Sequence, residues 1–319
     1  MFMTTIQRPR RYSVASNRVK RSSQSKSQLL VQRDSGVHVI TTMDLDAIYS
    51  VHPLRGETIL ARLERAGADL TRLTELQLAV DPETELTDQN HSGGIQAVLE
   101  LALAAGVTAA STVVDIGCGL GGSARVLAAE CGCHVIGIER DLARCRDARQ
   151  LTTLVKLDHL VSIQQVDALV TDVALRDVDV LWGQGAWIHF PSPADFLARW
   201  VPALAVGGRV ALADAFLTRC PANGDEEALV AALDDSWGAH ITTVDEWRGA
   251  LETQGCRVSH QRDVTQRAVA DFSNLLTVSA SWPEGTATDA ERQSWARALE
   301  GFARGVIRSY RLVATRTAV

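Results

Sequence analysis

The sequence predicts an α/β protein whose core is a mostly parallel sheet covered by helices on both faces. Three observations carry that prediction. From Thr112 onward, short β-branched runs alternate with helix-length segments, the pattern of right-handed βαβ crossovers. A glycine-rich turn, Gly117-Cys118-Gly119-Leu120-Gly121-Gly122, separates the first such run from the first such helix. The chain has 319 residues, 46% of them hydrophobic, enough for one large core with elaborations.

The elements follow in order. Residues 1–42 form a basic arm, rich in Arg and Ser and poor in acids and large apolar residues, the composition of a disordered tail or a transit peptide. Met43 is the sole Met beyond position 3, and the folded pattern starts there. Residues 43–106 read as a helical cap. Ile59, Leu60, Leu63 and Ala66 recur at helical spacing, and a second short helix covers 69–78. A polar loop runs over 88–94, and an apolar helix over 95–105 ends at Gly106. Residues 107–319 hold the sheet. Strands are predicted at 113–116, 135–138, 161–163, 178–181 and 209–213, separated by helices over 123–130, 142–154 and 194–204. After Asp214 the alternation stops. Pro221, Gly224, Trp237 and Trp247 mark an insertion over 215–255, beyond a strand's carboxyl end, where a substrate lid would sit. Strands resume near 257–258 and 311–314.

Charge and cysteine usage narrow the function. Eight of the 32 Lys/Arg but one of the 38 Asp/Glu lie in the first 35 residues, so the body carries a net charge of −13. So acidic a body argues against a nucleic-acid partner, which needs a basic face to neutralise phosphates. No apolar run approaches the roughly 20 residues of a membrane span. The six cysteines, at 118, 131, 133, 145, 220 and 256, have no zinc-site spacing and read as buried thiols of a reducing cytoplasm. No metal is expected. A homo-oligomer is compatible with all of this.

The glycine turn carries the chemistry. In Val113-Val114-Asp115-Ile116-Gly117-Cys118-Gly119-Leu120-Gly121, the glycines let the backbone turn tightly and approach a ligand closely. Asp115, just before the first glycine, could order the ammonium end of an amino-acid cofactor. Glu139 closes the next strand, placed to accept the hydroxyls of a ribose. A dinucleotide fingerprint spaces its glycines G-x-G-x-x-G under a pyrophosphate. Here the spacing is G-x-G-x-G, and the carboxylate of Asp115 would repel phosphate. It favours a cationic or zwitterionic ligand.

These residues resemble the first motif and the acidic second loop of class I S-adenosylmethionine-dependent methyltransferases. Gln165-Val166-Asp167-Ala168 is similar to the family's adenine-binding turn. Leu204-Ala205-Val206-Gly207-Gly208-Arg209 is similar to its turn before strand five, with Val206 where Pro is usual. The resemblance implies a Rossmann-like fold with a seven-stranded, mostly parallel sheet and S-adenosyl-L-methionine as cofactor. It implies cofactor contacts from Asp115, Gly117, Gly119, Gly121, Glu139, Asp167 and Ala168, with Cys118, Arg140 and Gln184 beside them.

The segment Trp182-Gly183-Gln184-Gly185-Ala186-Trp187-Ile188-His189 follows strand four, where a reacting methyl group would emerge. It resembles small-molecule methyltransferases of the sarcosine/dimethylglycine and tocopherol type, with Gly185 in place of their acidic residue. The loop from Asp88 through Gln89, Asn90 and His91 to Gly94 has a similar counterpart there. His189 is the first candidate for a base or substrate orienter and His91 the second. Each could equally be a packed histidine bonded to backbone. Gln89, Trp187 and Trp237 are candidates to face the acceptor, the two indoles as walls able to hold a cation; ordinary core or lid packing is their alternative. The reading that results is methyl transfer to a small molecule, nitrogen slightly favoured over the oxygen or carbon of a natural product or prenyl compound. A catalytically silent cofactor-binding scaffold is the alternative of another class, and a nicotinamide oxidoreductase the third.

Overall fold

The computed structural model describes residues 28–33, 36–41, 55–79, 87–171, 173–280 and 288–318; for 28–33 and 36–41 it gives the backbone pairing alone. Most of the basic arm, and the predicted cap residues 43–54, lie outside them. The arm is not wholly without structure. β1 (Gln28–Arg33) pairs antiparallel with β2 (Gly36–Thr41). The reading from composition gave no strand there, because two six-residue runs without a third strand are a weak signal.

The main sheet has seven strands: β3 (Thr112–Ile116), β4 (His134–Glu139), β5 (Val161–Gln165), β6 (Val178–Gln184), β7 (Leu204–Leu217), β8 (Cys256–Asp263) and β9 (Ile307–Arg316). They lie side by side in the order β5-β4-β3-β6-β7-β9-β8. β3 through β7 run parallel, and β9 is antiparallel to both β7 and β8. The strand order reverses at β3, with β4 on one side and β6 on the other. That is the switch point at which open α/β sheets leave a crevice beyond their carboxyl ends.

Alternation along the strands explains the two cores. Val113, Val180, Trp182, Ala211 and Val313 face one side and pack against helices Gly94–Ala105 and Gly122–Cys131. Val114, Ile116, Leu181, Leu212 and Leu312 face the other, against helices Pro193–Trp200 and Val244–Thr253. Adjacent residues of one strand are buried on opposite faces, as a sheet covered on both sides requires.

Two expectations are corrected. The stretch 69–78 is not one helix but a 3₁₀ turn, Leu70–Arg72, and a single capped turn, Glu75–Leu78. The insertion at 215–255 does not act as a unit. Helix Val244–Thr253 returns to the sheet and buries Trp247 in the main core. Helix Gly224–Trp237 instead joins Thr265–Ser279 and Asp289–Ala303, two helices between β8 and β9 that the sequence reading left unassigned. The three share a separate apolar cluster around Leu233, Ala268 and Phe302. Four of the six cysteines are buried, Cys131 is half-buried and Cys220 is exposed. Among the described residues no helix is long and apolar enough to cross a membrane, and no cluster of His, Cys, Asp and Glu is arranged to hold a metal ion.

Candidate active site

The crevice at the switch point is a cavity open to solvent. Its floor is the glycine turn. Gly117, Gly119 and Gly121 have φ values of 81°, 55° and 78°, a left-handed path that side-chain-bearing residues adopt at a cost. The turn is pinned to the neighbouring strand, since the amides of Gly117 and Cys118 both donate to the Ile138 carbonyl, at 2.8 and 3.0 Å. Glu139, at the end of β4, accepts from the Gly119 amide at 3.0 Å and the Asp141 amide at 2.8 Å. Its carboxylate is therefore held in place before any ligand arrives.

Asp115 is the electrostatic oddity of the site. It is 2% exposed and lines the cavity, and its Oδ2 is buried with no hydrogen-bond partner. Burial, and then the nearby Glu139, push its carboxyl from an ordinary 3.8 up to about 7. A buried carboxylate without a partner is costly unless something positive meets it. Cys118 beside it is no nucleophile, because burial holds its thiol well above the usual range.

Most of the residues expected to hold a ligand are brought together. Asp115, Gly117, Cys118, Gly119, Glu139, Arg140, Asp167, Ala168, Gln184, His91 and His189 all line this one cavity. Four others do not. Gly121 lies behind the turn, where a Cβ would sit 2.9 Å from Nη1 of Arg125, so packing alone requires glycine there. Gln89 is spent on neighbours, its Nε2 donating to Oδ1 of Asp88 at 3.0 Å. Trp187 is fully buried; its Nε1 donates to the Ile116 carbonyl at 3.1 Å, and its ring stacks on Trp247 and meets the edge of Phe196. Trp237 stacks on Phe272 with ring centroids 6.1 Å apart, within the outer helical cluster. Both indoles are packing residues. One face of each is stacked on another aromatic ring, and neither lines the cavity.

The histidines differ. His189 ends a 3₁₀ turn, Trp187–His189, and its Nδ1 lies 3.0 Å from the Gly238 carbonyl. Burial lowers its pKa. His91 sits in the polar loop, with Nε2 3.1 Å from both Oε1 of Gln89 and Oγ of Ser123. Burial pushes its pKa down to about 4.

Two positioning groups escaped the sequence. Arg125 is completely buried. It pairs with Glu75 at 3.0 Å and with Asp88, and donates to the Leu120 carbonyl at 2.8 Å. It thereby ties the cap, the polar loop and the glycine turn together. Its partners are 50 and 37 residues away, and no local pattern announces them. Asp214, on β7, accepts from the Trp187 amide at 2.9 Å and fixes the turn that carries His189. The loop also lies close on the helix start: a Cβ at Gly122 would meet the Asp88 carbonyl oxygen at 2.6 Å.

The sequence over this site has recognisable kin, and the match to the methyltransferase-domain family runs over residues 114–212, from β3 through the middle of β7. Tocopherol O-methyltransferase of Arabidopsis thaliana is 34% identical over 158 residues, covering 47% of this chain and 44% of that protein. Sarcosine/dimethylglycine N-methyltransferase of Halorhodospira halochloris is 34% identical over 106 residues, covering 33% and 37%. The matched stretch thus spans less than half the length of these curated relatives. In fold, the chain is similar to geranyl diphosphate C-methyltransferase from Streptomyces coelicolor A3(2), with a TM-score of 0.59 and 18% identity over 69% of this chain and 78% of that one. It is also similar to the cyclase SpnF, with a TM-score of 0.61 and 17% identity over 87% and 97%. The sheet order and the family match thus fall on the same stretch of chain, the one that carries the glycine turn and Glu139.

Proposed function

We propose that this protein transfers a methyl group from S-adenosylmethionine to a small-molecule acceptor. The observation that carries the proposal is Asp115: a buried carboxylate oxygen without a partner, in a cavity floored by the glycine turn and faced by Glu139. That pair of acceptors fits an ammonium-bearing nucleoside. Asp115 would meet the ammonium, Glu139 the ribose hydroxyls, and Asp167 with Ala168 the adenine edge. When bound, the cofactor supplies a sulfonium-activated methyl group, so alignment and exclusion of water are what remains for the protein to provide. The polar loop and the β6 turn meet at the cavity wall, a Cβ at Gly185 falling 3.1 Å from the Asn90 carbonyl oxygen, and Asn90, His91, Gln184, Ala186 and Phe190 all line it.

The acceptor atom is a finer matter. Relatives include both an O- and an N-methyltransferase. A neutral amine needs no base, whereas a hydroxyl must lose its proton. His189 supports the hydroxyl reading over the amine that the sequence slightly favoured. Its Nδ1 can only donate to the Gly238 carbonyl, which leaves Nε2 the lone-pair nitrogen. In that role His189 takes the acceptor's proton on Nε2, and Asp214 keeps the turn beneath it in place.

A silent scaffold is the competing reading, because a structural neighbour on this fold is named as a cyclase and fold alone does not carry a reaction. Calorimetric titration with S-adenosylhomocysteine, beside Asp115→Ala and Glu139→Ala and with NADH as control, tests the cofactor. Saturable binding lost in both variants is the expected result; binding of NADH instead would sink it. Transfer of a labelled methyl group to a panel of phenols, alcohols and amines then separates enzyme from scaffold.

A further inference from the structure

Two histidines line the same cavity, and the protein fixes their protons on opposite sides of the ring. For His189 the carbonyl of Gly238 sets the answer, as above: the hydrogen is on Nδ1. For His91 the answer comes from further away. Asp88 gives one carboxylate oxygen to Arg125, which is wholly buried and can only donate. Its other oxygen, Oδ1, therefore faces the amide of Gln89 as an acceptor and takes Nε2 of Gln89 at 3.0 Å. That contact decides which end of the amide is which. Oε1 of Gln89 is turned to His91 and lies 3.1 Å from its Nε2. A carbonyl oxygen cannot donate, so this bond needs its hydrogen on the imidazole; the Ser92 carbonyl makes the same demand on Nδ1 at 3.3 Å, and the shorter, more buried Gln89 contact takes the single ring hydrogen. Ser123, also 3.1 Å from Nε2, can then accept from the ring and pass its own hydrogen to Oε1 of Gln184 at 3.3 Å.

We propose that Asp88 and Gln89 are positioning residues that lock His91 as an Nε2–H donor, leaving His189 as the one of the two cavity histidines with a basic Nε2. His91 thereby serves as the start of a directional chain, His91 to Ser123 to Gln184, and not as a second base. The chain consumes the carbonyl end of the Gln184 amide inside the protein. Its NH₂ end is the group offered to the cavity, a donor for an oxygen of the acceptor or of the cofactor. The part played by His189 rests on the methyl-transfer reading; the proton positions do not.

Long-range proton–nitrogen spectra of the full chain, labelled with ¹⁵N-histidine, read tautomers directly. The eight histidines give a tractable spectrum, and His91→Asn and His189→Asn assign the two patterns. At pH 7.5 (about one unit above the usual imidazole pKa) the expected result is an Nε2–H pattern for His91 and an Nδ1–H pattern for His189. Gln89→Leu removes the carbonyl that holds the Nε2 proton. His91 then changes to the Nδ1–H form, facing the Ser92 carbonyl 3.3 Å away, while His189 keeps its pattern. Ser123→Ala leaves the His91 pattern as it was, because Gln89 sets it. An Nδ1–H pattern for His91 in the unaltered protein overturns the proposal, and so does a Gln89→Leu variant with an unchanged His91 pattern. Neither result depends on whether methyl transfer is found.

Discussion

The glycine-turn side of the molecule and its aromatic side are built from the same kinds of residue and use them in opposite ways. Around Asp115 and Glu139, polar groups are buried ahead of need: one carboxylate is held by two amides, and the other has an oxygen with no partner. Around Trp187 the demands are met within the protein, the indole N–H by a carbonyl and the ring by Trp247 and Phe196, and Trp237 is stacked on Phe272 away from the cavity. Side-chain chemistry alone does not mark a binding residue. An unmet requirement does, and a tryptophan whose requirements are satisfied is part of the scaffold.

The sharpest way to break that comparison is Trp187→Ala. If the indole is scaffold, the variant loses stability by about 3–5 kcal/mol, the range for emptying a large aromatic from a core. Urea unfolding measures it. A variant of near-normal stability would return Trp187 to the binding wall and undo the distinction.

Asp115→Asn pushes the comparison in the other direction and has two opposed effects. Cofactor-analogue affinity falls roughly 10- to 100-fold, since a charged hydrogen-bonding partner contributes about 1.5–3 kcal/mol. The empty protein, in contrast, becomes more stable above neutral pH. Asp115 has its carboxyl raised from 3.8 to about 7 in the fold. Between those values the folded chain holds a proton that the unfolded chain has released, so stability drops as pH rises from about 4 to 7 and is flat beyond. At about 1.4 kcal/mol per unit, the upper figure for Asp115 is about 4 kcal/mol. Asp214, raised to about 7 by burial, adds a slope of the same sign, so the Asn variant keeps part of it. Urea midpoints at pH 5, 6, 7 and 8 for both proteins read this out. Equal slopes would mean that the raised carboxyl is not Asp115.

How much of this was legible in the sequence follows the same division. The cofactor half was readable because its signals are local: a strand, three glycines and an acid ending the next strand lie within 25 residues, Asp115 to Glu139. The helix Leu142–Leu154 and the strand pattern followed from periodicity alone. Gln89, Trp187 and Trp237 do not line the cavity, and the sequence could not show this, because residue type says what a side chain can do and not whether a neighbour has already used it. Arg125 with Glu75 and Asp88, and Asp214 under the β6 turn, are contacts between segments far apart in the chain. They exist only once the sheet order brings those segments together. Helices Thr265–Ser279 and Asp289–Ala303 went unassigned for a related reason: with Gly224–Trp237 they form a cluster of their own that reaches the sheet only at its edge, around Leu217 and Ile307.

A finer test of the unmet carboxylate uses the unaltered protein. A cationic ligand pulls the proton from Asp115, so S-adenosylhomocysteine affinity rises with pH by at most about tenfold per unit and levels off near 7, the raised value. Calorimetry at pH 6 in buffers of different ionisation heat shows a proton released on binding. Affinity flat between pH 5.5 and 7 (a range chosen to span about one unit below the raised value) would mean that Asp115 is already charged before the ligand arrives.

The smallest effect is expected at Trp237→Phe. Phenylalanine retains a ring against Phe272 and loses only the outer part of the indole, so the change costs about 1–2 kcal/mol, less than emptying the site would. Cofactor-analogue affinity stays within about twofold, below the roughly 1.4 kcal/mol that a tenfold change would need. Trp237 is still the residue best placed to report on the outer helices, since it ends Gly224–Trp237 one residue before the Gly238 carbonyl that holds His189. If Trp237→Phe alters methyl transfer to a hydroxyl acceptor while the analogue's affinity is unchanged, the aromatic cluster is acting on the base through that carbonyl. The division between scaffold and site would then run through residue 238, with the outer helices setting where the base stands.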